Sequence, residues 1–253
     1  MITLNTLLYQ GNYQNILKED SWFLRYENPI VSSKLITVNN VNDRESITKM
    51  IDAIKKENKG VDYFFVEDYE KQAIDYFSLD INKDTTQGYY YIIPYFCLLL
   101  HLKKGFVLNV SDDCMKELSF NTEFLEESIK LLTDNDKIPV TTLSWGYPKQ
   151  SFGYDVGEWE QIETFRLQQK SQPEMDKFWY SVGFVDQVFL GSVDKLKKIN
   201  YNLETYDNPI YHGPWYCPNS WERRVAEYMH KNEMYRAVWK NPNHYYIHPG
   251  HKL

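Results

Sequence analysis

The sequence predicts an α/β fold: a mixed, mostly parallel central sheet flanked by helices. Three observations carry this expectation. Strand-like and helix-like segments alternate β-α-β-α-β over residues 34–110, an order that builds a parallel sheet covered by helices. The run YYYIIPYFCLLLHL at 89–102 is apolar on all sides, as a helix buried against such a sheet must be. Each of the three strand-like segments ends in polar residues: Asn39-Asn40, Glu67-Asp68 and Asp112-Asp113. In parallel sheets, ligands bind outside these carboxyl ends.

Taken in order, residues 1–33 are mixed, with scattered aromatics (Tyr9, Tyr13, Trp22, Phe23, Tyr26) and the breaker Pro29. KLITVNNV at 34–41 is short, β-branched and bounded by Asn, and reads as the first buried strand. In NDRESITKMIDAIKKE, Ile47, Met50, Ile51 and Ile54 fall on one helical stripe. Asn42 and Glu45 have the spacing of a capping box for that helix. VDYFFVED at 61–68 is a second strand, YEKQAIDYF a short helix, and 80–88 a polar loop. The helix from Tyr89 ends near Gly105, a suitable stop. FVLNV is then the third strand, running straight into Ser111-Asp112-Asp113.

The second half is less regular. FLEESIKLL at 124–132 reads as helix and PVTTLSWGYP as a strand followed by a turn. Residues 149–177 are polar, with a helix expected near 158–169. FWYSVGFVDQVFLGS is rich in strand formers around Gly183, and Asp194 opens a short helix. Residues 200–220 form an aromatic loop with three prolines. Ser220 is a fair N-cap for WERRVAEYMHKN, and HYYIH at 244–248 is a last short strand.

Bulk properties narrow the function classes. A chain of 253 residues can bury a sizeable core as a single domain. Its net charge of -7 argues against nucleic acid as the main partner, because phosphate binding needs basic surface. Three cysteines without CxxC spacing imply neither a disulfide framework nor a zinc knuckle, so a reducing, cytoplasmic setting is expected. The N-terminus has no signal-peptide pattern. The longest apolar run is shorter than a membrane span and holds Pro94. Peripheral membrane contact is left open.

The dinucleotide fingerprint G-x-G-x-x-G, the P-loop, H-E-x-x-H and G-x-S-x-G are all absent. What stands out is Asp112-Asp113. Two carboxylates at a strand end can hold a hard cation that also bridges the phosphates of a substrate. They can also be a solvated loop capping the next helix.

The alternation running into an acidic pair resembles the N-terminal half of a GT-A glycosyltransferase, whose D-x-D motif binds a divalent metal and the diphosphate of a nucleotide-sugar. Here the stretch is V-S-D-D. If the last Asp of the motif falls on Asp113, Ser111 replaces the first; if it falls on Asp112, Val110 does. FWYSVGFVDQVFLGSVDKL is similar to the segment that carries the catalytic base in inverting members, with Asp186 at the matching position. WERRVAEYMHKN followed by YYIH is similar to the C-terminal helix and Tyr-x-His segment, which implies His248 as a further metal ligand.

The resemblance covers about residues 34–248 and implies a Rossmann-like GT-A domain. Residues 34–113 would form the nucleotide-sugar half and 114–253 the acceptor half. It implies Mn2+ or Mg2+ held by Asp113, Asp112 and His248. It implies nucleotide contacts from Val38, Asn39, Asn40, Glu67, Asp68, Ser111 and Asp112, and Asp186 as base. The expected activity is transfer of a sugar from a nucleotide-diphosphate donor to a glycan or other hydroxyl acceptor. Trp145, Trp215 and Tyr216 are candidate acceptor contacts, with Tyr211 and the stretch to Trp159 beside them. The alternatives are an inactive binding module of the same fold, or a sugar nucleotidyltransferase. The latter would show a Gly-rich basic loop where this chain has NNVNDRES.

Overall fold

The computed structural model describes residues 1–57, 60–80, 89–145, 177–203, 220–241 and 244–246. Its strands are β1 (Ile2–Leu8), β2 (Val31–Val38), β3 (Val61–Phe65), β4 (Phe106–Val110), β5 (Leu118–Ser119), β6 (Val140–Thr142), β7 (Ser144–Trp145), β8 (Phe178–Ser181), β9 (Val188–Ser192), β10 (Arg236–Trp239) and β11 (Tyr245–Tyr246). Its helices are α1 (Tyr13–Ile16), α2 (Trp22–Arg25), α3 (Arg44–Glu57), α4 (Glu70–Phe77), α5 (Tyr89–Leu102), α6 (Thr122–Asp134), α7 (Val193–Lys197) and α8 (Trp221–Lys231).

Among the described residues the main sheet has eight strands in the order β3-β2-β1-β4-β9-β6-β10-β8. The first four run parallel. β9 enters antiparallel between β4 and β6, β6 and β10 are parallel, and β8 closes the edge antiparallel to β10. A small sheet, β5-β11-β7, is separate from the main one.

The strand at the centre was not expected. β1 lies between β2 and β4, so KLITVNNV belongs to the second strand, not the first. Ile2, Leu4 and Leu8 are fully buried, and so are Asn5 and Thr6. Those two polar residues interrupt the apolar run and hide the strand from pattern reading. Asn5 is tolerated because it is paired within the sheet: its amide donates to Asn109 (2.8 Å) and its carbonyl accepts from Thr37 (2.7 Å).

Helices cover both faces. Ile47 and Ile51 of α3, with Phe124, Leu125 and Leu132 of α6, belong to one core cluster. Ala73 and Phe77 of α4, Ile92, Ile93 and Tyr95 to Leu99 of α5, Leu196 of α7 and Val225 and Met229 of α8 belong to the other. Of the stripe read from the sequence of α3, Ile47 and Ile51 are buried and Ile54 partly so, while Met50 is exposed; the cap is Asp43 rather than Asn42. Asp43 accepts the Ser46 N–H (2.9 Å) and the Ser46 hydroxyl (2.7 Å), while the Asn42 N–H reaches Gln10 (2.9 Å). After α5, Lys103 takes the left-handed conformation (φ 59°). Gly105 follows at φ 95°, where a Cβ would also lie 3.2 Å from the Met1 carbonyl.

FWYSVGFVDQVFLGS resolves into two strands, β8 and β9, that are not neighbours in the sheet. Asp186 therefore lies in their connection, two residues before β9, not on a strand. The ladder strand β10, RAVW, went unread because it is four residues long and begins with arginine.

Candidate active site

β1 through β4 all present their carboxyl ends on one edge, and β1 is where the strand order turns. The chain steps from β1 to β2 and β3 on one side, then crosses back to place β4 on the other. A crevice at such a reversal is where open α/β sheets bind ligands. Its two walls are the turn after β1 and the turn after β4.

After β1, Asn12 fixes the turn: its side-chain oxygen accepts from the Tyr9 N–H (2.8 Å), and its amide donates to the Leu7 carbonyl (3.0 Å). The Asn12 side chain also hydrogen-bonds Asp112 across the crevice. The Tyr9 phenol, in the same turn as Asn12, is raised by burial and then by the charges of Asp112 and Asp113. Sequence reasoning missed Tyr9 and Asn12 because it missed β1. The signal was the polar turn YQGN following ITLNTLL.

After β4, Asp112 and Asp113 begin a 3-10 turn that runs to Glu117. Burial lifts the Asp112 carboxyl above its ordinary value and the neighbouring Asp113 charge lifts it further, while the Asn12 hydrogen bond opposes. A cation beside the pair would relieve both penalties. Two hard carboxylate donors fit Mg2+ or Mn2+, which commonly take one or two protein carboxylates and complete their shell with phosphate and water. Among the described residues, no three His, Cys, Asp or Glu side chains gather as a ready-made cage. His248 lies outside the described residues, so the donor set described here is Asp112 and Asp113.

β2 and β3 bring the remaining nucleotide candidates together. Val38 is fully buried and Asn39 nearly so; the Asn39 N–H donates to the Leu8 carbonyl (2.8 Å). Asn40 is left-handed (φ 52°), and its N–H donates to Glu67 (3.3 Å). Asp68 pairs with Arg44 at 2.5 Å, and the guanidinium lies 3.9 Å from the Phe65 ring centroid. Both ion-pair partners are about half exposed, so the pair adds little stability.

β9 delivers Asp186 to the same edge. Val188 stands opposite Val110, and the Ser111 N–H donates to the Gln187 carbonyl (2.7 Å). The Asp186 backbone is held at both ends. Its N–H donates to a Glu222 carboxyl oxygen (3.2 Å), and its carbonyl accepts from Asn109 (2.9 Å) and the Tyr95 hydroxyl (3.4 Å). Its side chain hydrogen-bonds Glu222 and Tyr95. Loss of water raises both acids. The Asp113 charge adds to the rise of Asp186, and the Asp186 charge to that of Glu222.

Glu222 was not singled out from the sequence. It occupies the first turn of α8, capped by Ser220, which accepts from the Arg223 N–H (3.2 Å). Trp221 anchors that turn between the rings of Tyr95 (centroids 5.2 Å apart) and Tyr201 (5.1 Å).

Of the acceptor candidates, Trp145 lies in β7, paired with Tyr246 of β11. Trp215, Tyr216, Tyr211 and Trp159 lie outside the described residues. The small sheet touches this region: the Tyr246 hydroxyl donates to Gln187 (3.4 Å).

The chain has the GT-A fold, the Rossmann-like architecture of a large class of glycosyltransferases. The likeness that establishes it is to a crystal structure of GalNAc-T7 with UDP, GalNAc and Mn2+, at a TM-score of 0.57 and 10% identity. It extends over 98% of this chain and 43% of that one, so the chain spans less than half of the matched structure. The chain is also similar to S. aureus TarS 1-349 (TM-score 0.46, 11% identity, 97% of this chain and 59% of that one). A further likeness is to glucosyl-3-phosphoglycerate synthase from Mycobacterium tuberculosis with Mn2+, UDP and glucosyl-3-phosphoglycerate (TM-score 0.38, 10% identity, 77% and 57%). No protein-family profile and no curated protein sequence matches the chain.

Proposed function

We propose that this protein is a glycosyltransferase that moves a sugar from a nucleotide-diphosphate donor to an acceptor hydroxyl, with Mn2+ or Mg2+. The observation that carries the proposal is the convergence of Asp112-Asp113 and Asp186 at one edge of a GT-A sheet, at the reversal of strand order.

In this reading Val38–Asn40, Glu67 and Asp68 line the nucleoside end of the crevice, and Ser111 and Asp112 lie at the diphosphate. Asp112 and Asp113 would hold the metal, which when bound neutralises charge on the diphosphate. Asp186 accepts the proton of the acceptor hydroxyl as that oxygen bonds to the anomeric carbon. The bond from that carbon to the diphosphate breaks, and its electron pair leaves on the phosphate oxygen. The products are a glycoside, a nucleoside diphosphate and a proton on the enzyme.

No helix among the described residues is long and apolar enough to cross a membrane. The proposed partners are the nucleotide-sugar and a glycan or other hydroxyl acceptor, in a cytoplasmic setting.

The metal assignment is tested by calorimetric titration of nucleoside diphosphates with and without Mn2+. Asp113→Ala is expected to remove the Mn2+-dependent part of the affinity; an unchanged dependence would take the metal away from Asp113.

A further inference from the structure

Two acids packed against each other beside the reaction centre raise the question of where their proton sits. A hydrogen bond between two carboxyl groups needs one proton between them, since two carboxylates only accept. Asp186 and Glu222 make such a bond. Glu222 also accepts the Asp186 N–H (3.2 Å), so it grips the residue at the side chain and the backbone together. From the other side Asn109 and Tyr95 hold the Asp186 carbonyl.

We propose that Glu222 is the positioning residue for Asp186: a protonated acid whose hydroxyl donates to the Asp186 carboxylate and whose second oxygen anchors the Asp186 backbone. This rests on the glycosyltransferase reading above and deepens it. A single negative charge then sits on Asp186, where the acceptor hydroxyl must give up its proton. Among the described residues, the charged and titratable groups facing the pair are Asp113 and Cys114 after β4, Tyr95 of α5, Arg236 of β10 and Tyr246 of β11. Burial outweighs Arg236, and the Glu222 carboxyl stays well above its ordinary value.

The role makes the choice of variant diagnostic. Glutamine is neutral, donates through its amide nitrogen and accepts through its oxygen, so it copies a protonated Glu222. Leucine keeps the bulk and loses both bonds. With a nucleotide-sugar that the wild type turns over, Glu222→Leu should lower kcat by about 10²-fold or more at unchanged donor KM. Glu222→Gln should recover most of that loss, while Asp186→Asn should stay about 10²- to 10⁴-fold below the wild type. A Glu222→Gln enzyme as slow as Asp186→Asn would overturn the proposal, since Glu222 would then be an ionised reacting group. So would a Glu222→Leu enzyme with wild-type kcat.

Infrared spectroscopy reads the proton without turnover. The wild type at neutral pH should show a protonated carboxyl band that Glu222→Gln lacks; no difference between the two refutes the pair. A wild type that turns over no donor, yet shows that band, would sink the transferase reading and leave the shared proton standing.

Discussion

Asp186 combines burial with a full set of backbone partners, which is how a general base is kept in one position with raised basicity. Its carboxyl lies above the ordinary range because burial and the Asp113 charge outweigh the hydrogen bonds from Glu222 and Tyr95. Transfer needs it ionised, so the rate should fall on the acid side at a pH above the usual carboxylate value of about 4. Asp186→Asn should lower kcat by about 10²- to 10⁴-fold with little change in donor affinity, measured by steady-state kinetics beside calorimetry. Glu222 carries a linked stability effect. Its value in the folded protein is raised above the unfolded one, so folding takes up a proton. The contribution is complete below the unfolded value and is lost as pH rises through the folded one. Thermal melting of Glu222→Gln should therefore gain on the wild type as pH is raised above the ordinary carboxylate range. Nothing in the sequence marks Glu222, which reads as one more acid in the polar face of an amphipathic helix. Asp186 could be reached only through resemblance, because its neighbours in the chain are not its partners in space.

At the scale of elements, a buried polar line ties the sheet to the site. The Thr37 hydroxyl of β2 donates to Asn5 of β1, Asn5 donates to Asn109 of β4, and Asn109 donates to the Asp186 carbonyl. Each link satisfies a group that would be costly to bury alone. Asn109→Leu leaves the Asn5 amide and the Asp186 carbonyl each short of a partner. It should cost about 2 kcal/mol. Denaturant melts would show the loss, and kcat should fall with it as the Asp186 loop loosens. A variant with normal stability and kcat would show that the line does not position the loop. The helices α3 and α8 were legible because their apolar spacing follows the helical period over ten or more residues, and α5 because its run is apolar on all sides. β1 was illegible for the reason that makes it useful: its centre is polar, and the buried Asn5 there is satisfied only by partners on β2 and β4, far away in sequence. β10 was illegible because four residues carry too little period to read.

For the whole molecule, the strand order decides the function proposed. Placing β1 between β2 and β4 opens the crevice at the reversal, and the antiparallel entry of β9 puts Asp186 across from Asp112-Asp113. In the parallel half, β2, β3 and β4 could be read from the alternation of segments and the polar strand ends, but β1 between them could not. The antiparallel half could not, because β8 and β9 are contiguous in sequence yet separated by β6 and β10 in the sheet. A mostly acidic edge also binds an anionic donor poorly until a cation compensates it, so donor affinity should depend steeply on Mn2+ or Mg2+. The most direct measurement is release of nucleoside diphosphate from a panel of nucleotide-sugars, with Mn2+ and after chelation. At least one donor should be consumed by the wild type only with metal present, and Asp113→Ala should consume none. Nucleotide-sugars that bind with or without metal and are never cleaved, with any acceptor hydroxyl supplied, would contradict the account.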